Sequence, residues 1–233
     1  FNFFIYIFIN KIEPKIKLIK QQQVVTIKKN KPEFIISLEN NLASKLPGKK
    51  AHDVMRTGPK IPKAIRYLKK EPVPSAVLIL LFPDNDTFNF ILTLRSRKVE
   101  THKGQISLPG GVQEEDESLE QTALRETKEE IGVLTETIEL LGKLSTIYVP
   151  FSGFNIYPYV GWTKEIPKLK ICTEEVEKTI SVPVTELINR NNQKVKNTML
   201  RGAPVKMPYF SLKNETVWGA TSMILSEFKQ LIK

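Results

Sequence analysis

At 233 residues the chain can hold one good-sized domain plus an extension, and two full domains would be a squeeze. Its 41% hydrophobic and 26% charged residues are ordinary for a globular protein, which excludes disordered and fibrous classes. The net charge of +10 is uneven: residues 1–75 carry 16 Lys+Arg against 5 Asp+Glu, and the rest is close to neutral. A basic segment beside a balanced domain can attract an acidic ligand, a nucleic acid or a membrane surface, but here it reads as a solvated, lysine-rich leader. The lysines are scattered without arginine–aromatic interleaving, so neither a nucleic-acid partner nor a membrane is expected.

Taken in chain order, residues 1–30 read as a low-complexity Ile/Lys/Asn/Gln leader, expected to be poorly ordered. Its apolar start, Phe1 to Asn10, falls short of the roughly 20 residues that span a membrane. A domain is expected over 31–233, with a helix and arm at 31–75. Phe34, Ile35, Leu38, Leu42 and Leu46 fall at helical spacing, which predicts a helix over Glu33–Lys45 stopped by Pro47-Gly48. Residues 49–74, with four prolines, read as an irregular arm.

Ala76–Phe82 is a continuous apolar run that predicts a buried strand, and Phe88–Arg95 its hairpin partner across Pro83-Asp84-Asn85-Asp86. Glu117–Ile131 predicts a helix, capped by Ser118 with Gln121 or by Asp116 and ended by Gly132. Strands are predicted at Leu140–Val149, Tyr157–Trp162 and Glu177–Pro183, then a short helix near Val184–Asn189. Pro208–Leu212 with Glu215–Trp218 predicts a last hairpin, and Ala220–Leu231 a closing helix. The fold class expected is mixed α/β (α+β), an α/β/α sandwich around a mixed central sheet. The single cysteine, Cys172, excludes an internal disulfide and fits a reducing, cytoplasmic setting. It reads as a small hydrophobe rather than a nucleophile, because neither His52 nor His102 is near it in sequence.

The chemistry concentrates in Gly110–Val133. On a helix, Glu126, Glu129 and Glu130 project at roughly 0°, 300° and 40°, so three like charges share one side. A hard divalent cation, Mg²⁺ or Mn²⁺, offsets that repulsion through carboxylate oxygens and substrate phosphates. Arg125, four residues before Glu129, can hold that carboxylate in place. Gly110-Gly111 lets backbone approach metal or phosphate closely.

This run resembles the signature of the Nudix hydrolases. Gly111, Glu117, Arg125, Glu126, Glu129, Glu130, Gly132 and Val133 stand at every fixed position, and Thr127 replaces the usual aliphatic residue. The resemblance implies metal-dependent hydrolysis of a pyrophosphate bond in a nucleoside-diphosphate-linked substrate. Glu126, Glu129, Glu130 and the Gly111 carbonyl would hold metal, and Glu117 a further ion. The general base would be a helix glutamate or a loop carboxylate such as Glu174 or Glu175. Upstream, Leu92-Thr93-Leu94-Arg95-Ser96 and His102–Gly111 resemble the extra motif of the coenzyme A pyrophosphatase branch, with Glu100 in place of Arg and Leu108 in place of Phe. Leu46-Pro47-Gly48, Ala51-His52 and Val217–Leu225 look like the same branch.

Arg95, His102, Lys103 and Arg97 are then candidates for phosphate oxygens, with Gly110 and Gly111 lining the same site. The partner expected is a coenzyme A-like nucleotide, split into 3′,5′-ADP and the phosphopantetheine part. An ADP-ribose, dinucleotide or oxidised-nucleotide pyrophosphatase is the rival reading, and a non-catalytic binding module is a further one. A homodimer is compatible with the sequence.

Overall fold

The computed structural model describes residues 31–58, 71–98, 104–150, 152–200 and 202–233. The leader at 1–30, much of the arm, and Glu100, His102 and Lys103 lie outside the described residues. The chain divides into two units, Phe1–Asn40 and Asn41–Lys233. Within the first, α1 (Glu33–Leu42, ending just past the boundary) buries Ile35 and Leu38, and Lys31 bonds Glu39 at 3.0 Å.

The second unit is a mixed α+β fold. Its main sheet runs β3 (Ile106–Ser107), β2 (Thr87–Arg95), β1 (Val73–Asp84), β7 (Phe154–Trp162), β5 (Glu139–Lys143). β4 (Gly110–Val112) also pairs β1, β6 (Ile147–Val149) pairs β7, and β8 (Val176–Pro183) pairs β2. Only β1 with β7 is parallel; the other described pairs are antiparallel, so the sheet is mixed as expected.

β1 is buried on both sides because each side meets a helix. Ala76, Leu78, Leu80 and Phe82 join Ala123 and Ile131 of α3 (Leu119–Ile131) in one core. The alternate residues Ile79 and Leu81 are also fully buried, and Phe90, opposite Leu81, meets Phe228 of α5 (Gly219–Leu231) edge-on at 6.3 Å. This is the sandwich that the sequence predicts, since a run without alternation is what two covered faces produce.

Several boundaries differ from expectation. Residues 49–54, read as irregular arm, form the helix α2 (Lys49–Val54). The reason is long-range: Glu227 on α5 accepts from Gly48 N at 2.8 Å, His52 Nε2 at 2.8 Å and Ser145 Oγ at 2.7 Å. Burial pushes the Glu227 carboxyl up, but the bonds from His52, Ser145 and Gly48 outweigh it and hold it below the usual range. The strand expected over Leu140–Val149 is two, β5 and β6, with Leu144 N between them bonded to Pro158 O at 2.8 Å. α1 stops at Leu42, short of Lys45.

Beyond the short α4 (Val184–Ile188), a second sheet appears whose first strand no pattern announced. Its order is β11 (Glu215–Val217), β10 (Ala203–Leu212), β9 (Gln193–Leu200). β10 therefore starts five residues before the predicted Pro208. No described helix is long and apolar enough to cross a membrane.

Candidate active site

α3 carries the site, and local sequence sets its ends. Ser118 is the N-cap in a complete capping box: its hydroxyl accepts from Gln121 N, and the Gln121 side chain accepts from Ser118 N. Gly132 closes the helix at φ 75°, the left-handed conformation that glycine adopts without strain. Thr127, the departure from the family pattern, is fully buried and spends its hydroxyl on the Ala123 carbonyl at 2.7 Å. The helix thus accommodates it without an orphaned donor.

Glu126, Glu130 and Glu175 converge, with one carboxylate oxygen of each within 4.8 Å of the others. Glu130 is 1% exposed, and its Oε2 has no hydrogen-bond partner. Its other oxygen faces Arg95 Nη1 at 3.4 Å, a long contact. Burial pushes the Glu130 carboxyl up to about 8; Arg95 and a backbone hydrogen bond from Gly110 oppose this, while Glu126 and Glu175 reinforce it. Burial also raises Glu126, against the pull of Arg125.

Glu175 arrives from outside the helix on a turn pinned at three points. Cys172 N bonds Glu130 O at 3.0 Å, the Cys172 carbonyl accepts from Glu175 N at 3.1 Å, and Ser96 N bonds Glu175 O at 2.8 Å. Cys172 is half-buried and acts through its backbone. Neighbouring Glu174 points elsewhere, exposed and paired with Lys98 at 2.8 Å.

Arg125 organises the rest. It grips Glu117 with two nitrogens at 3.1 and 2.9 Å, bonds Glu126 at 3.0 Å and Glu129 at 2.8 Å, and reaches Val112 O at 3.1 Å. The Glu117 carboxylate also accepts from Thr122 Oγ1 and Glu114 N, and the Arg125 bond foremost holds it down at about 2. Glu129 is about half exposed and stands outside the convergent group, since 129 and 130 diverge by about 100° around the helix. The six described lining residues of an open cavity of about 450 Å³ include Arg125, Lys128 and Glu129, on the side of α3 turned away from Glu130.

The two glycines do different work. A Cβ on Gly111 would strike the Glu126 carboxylate, so the bare Cα is the seat for that side chain. A Cβ on Gly110, at φ 154°, would strike the β1 backbone at Ala76 and Val77. Arg95 ends β2 at a register shift between Leu94 and Arg95, and such a bulge re-aims a side chain. Arg97 is exposed. His102 and Lys103 fall outside the described residues.

The residues present suit a hard divalent ion: an all-oxygen set, a buried carboxylate oxygen without a partner, and a glycine that lets one carboxylate lie against the backbone. The NUDIX domain model matches residues 72–201. The chain belongs to the Nudix family. Among Nudix relatives, Nudix hydrolase 3 of Caenorhabditis elegans is 35% identical over 118 residues, 49% of this chain and 49% of that protein. Nudix hydrolase 15, mitochondrial, of Arabidopsis thaliana is 32% identical over 166 residues, 66% of this chain and 57% of that protein. The human mitochondrial coenzyme A diphosphatase NUDT8 is 31% identical over 174 residues, 72% of this chain and 73% of that protein. The chain thus spans about half the length of the first of these and more of the last. Nudix hydrolases generally use divalent metals, and an acidic cluster, Glu126, Glu130 and Glu175, is present in this chain.

Proposed function

We propose that this Nudix domain hydrolyses the pyrophosphate bond of coenzyme A or a derivative, giving 3′,5′-ADP and 4′-phosphopantetheine. The observation that carries the substrate is the block around Arg95. Its Leu92–Ser96 run ends at the bulge that sets Arg95 beside Glu130, so a residue of the branch-specific motif stands at the acidic cluster. The likeness to the human relative named a coenzyme A diphosphatase supports the same substrate.

In this reading Glu126 and Glu130, with the Gly111 carbonyl, hold Mg²⁺ or Mn²⁺. A bound divalent ion supplies charge neutralisation on the diphosphate and a more acidic water. Glu175, within 4.8 Å of both glutamates, accepts the proton of the attacking water. Arg125 positions Glu126 and Glu129 rather than touching substrate. Arg95 exchanges its long contact with Glu130 for a phosphate oxygen, where a guanidinium fork binds better. Hydrolysis adds water across P–O–P: one phosphorus gains the oxygen, and the other phosphate departs.

Incubation of purified protein with coenzyme A and Mg²⁺ or Mn²⁺, followed by product separation, tests this. Stoichiometric 3′,5′-ADP is expected. Brisk turnover of ADP-ribose with no 3′,5′-ADP from coenzyme A would overturn the substrate while leaving the family chemistry intact.

A further inference from the structure

Strand β9 is the outer edge of the three-stranded sheet, with no second neighbour among the described residues. It is exposed along nearly its whole length, with Val195 at 63% and Met199 at 64%. Cross-strand register assigns its faces. Lys196 lies opposite Met207, so these two share one face; Met207 is buried there, and the Lys196 ammonium sits over the Tyr209 ring at 5.3 Å. Val195, Asn197 and Met199 share the other face, opposite Pro208, Lys206 and Pro204.

Edge strands are normally blunted by charge, proline or a bulge. β9 contains no proline and its pairing with β10 shows no register shift. Its lysines lie on the face away from Val195 and Met199. Among the described residues, the edge therefore leaves its outer backbone groups unpaired beside two exposed apolar side chains.

We propose that β9 pairs antiparallel with β9 of a second copy of this chain, about a two-fold axis at Asn197. That register sets Val195 opposite the partner's Met199 and, by symmetry, Met199 opposite the partner's Val195. It also sets Lys196 opposite the partner's Thr198. Moving the axis to Lys196 would oppose that lysine to itself, and moving it to Val195 would oppose Lys194 to Lys196. Moving it to Thr198 would lose both Val–Met pairs. One register joins the apolar residues while keeping like charges apart, and self-complementarity of this kind is what a two-fold interface requires. A single strand pair is small for a specific interface, so the dimer forms in proportion to concentration.

Sedimentation velocity on the full chain over a wide concentration range should show the dimer fraction rising. The V195K/M199K variant places lysine against lysine in both symmetric pairs and should weaken the dimer by about tenfold or more. V195E/M199K changes the same positions but pairs opposite charges, and should restore it. Both variants should keep the wild-type circular dichroism melt and metal-dependent turnover, because the hairpin takes no part in the acidic cluster. As an independent readout, Asn197→Cys in a Cys172→Ser background should oxidise to a disulfide-linked dimer, since opposed residues stand about 4.5–5.5 Å apart at Cα. A chain that stays monomeric at the highest concentration overturns the proposal. So does a dimer indifferent to V195K/M199K, a V195E/M199K variant that stays dissociated, or absence of the cross-link.

Discussion

Arg95 Nη1 stands 3.4 Å from one oxygen of Glu130, and the other oxygen of that buried carboxylate has no hydrogen-bond partner. Arg95 and a backbone hydrogen bond from Gly110 do not offset the desolvation of this buried charge, so burial carries the carboxyl up to about 8. The folded-state value lies above the ordinary 4.5. Between these two values the unfolded chain is ionised and the folded chain is protonated. Without metal, stability therefore falls as pH rises through that window and levels off above it. A divalent ion must displace the same proton, so metal should stabilise the protein more at pH 8.5 than at pH 6. Melting curves in chelator and in excess Mn²⁺ at both pH values check this. Glu130→Gln should remove the metal-induced shift and gain on wild type in chelator as pH rises.

Arg125 bridges three carboxylates with one planar group. Arg125→Lys keeps the charge but offers a point donor in place of a fork. Turnover should fall by roughly 10–100-fold, as for other residues that orient metal ligands. Adding more Mn²⁺ should recover part of the loss if the ligands are merely loosened. Steady-state kinetics against Mn²⁺ concentration distinguishes this outcome from an unfolded variant, which metal would not rescue.

Two adjacent glycines should respond differently to alanine. In Gly111→Ala the new methyl meets the free end of Glu126, which can swing away. The fold should survive, while metal affinity falls, as metal titration by calorimetry would register. In Gly110→Ala the methyl meets fixed β1 backbone at a φ that L residues rarely adopt. That variant should lose about 1–3 kcal/mol of stability in denaturant unfolding. Equal behaviour of the two variants would mean that Gly111 does not seat Glu126.

What sequence could reveal followed the range of the forces involved. α3 was legible to the residue at its Gly132 cap, because Ser118, Gln121 and Gly132 act within one turn of the helix ends. The unbroken apolar run of β1 announced two covered faces. The family resemblance named Glu174 and Glu175 together, and the choice between them was not legible, since it depends on the Glu175 N bond to the Cys172 carbonyl and the Ser96 N bond to the Glu175 carbonyl that only the folded turn creates. Nor did the sequence show that the 100° between Glu129 and Glu130 would leave Glu129 about half exposed, because that depends on Glu175 closing the cluster on the Glu126–Glu130 side. β9 escaped notice for a related reason: Gln193–Leu200 lacks alternation because it is exposed on both faces through Asn197. α2 is too short to carry its own signal and leans on Glu227, 175 residues away from His52.

That last dependence gives a stability prediction separable from catalysis. Glu227 is fully buried and satisfied by Gly48 N, His52, Ser145 N and Ser145 Oγ. Glu227→Leu would strand these donors and should cost about 1–3 kcal/mol or more, the penalty for leaving buried hydrogen-bond donors without an acceptor. The folded-state carboxyl is held below its ordinary 4.5. Its contribution is thus complete above that value and lost as pH falls through the lower, folded-state one. Urea midpoints should therefore differ widely between wild type and Glu227→Leu at pH 7, and the gap should narrow at the acid end. Metal binding by the molecules that remain folded should be unchanged, because none of these groups belongs to the Glu126–Glu130–Glu175 cluster. A variant that melts like wild type at pH 7 would show that α2 is held by packing instead.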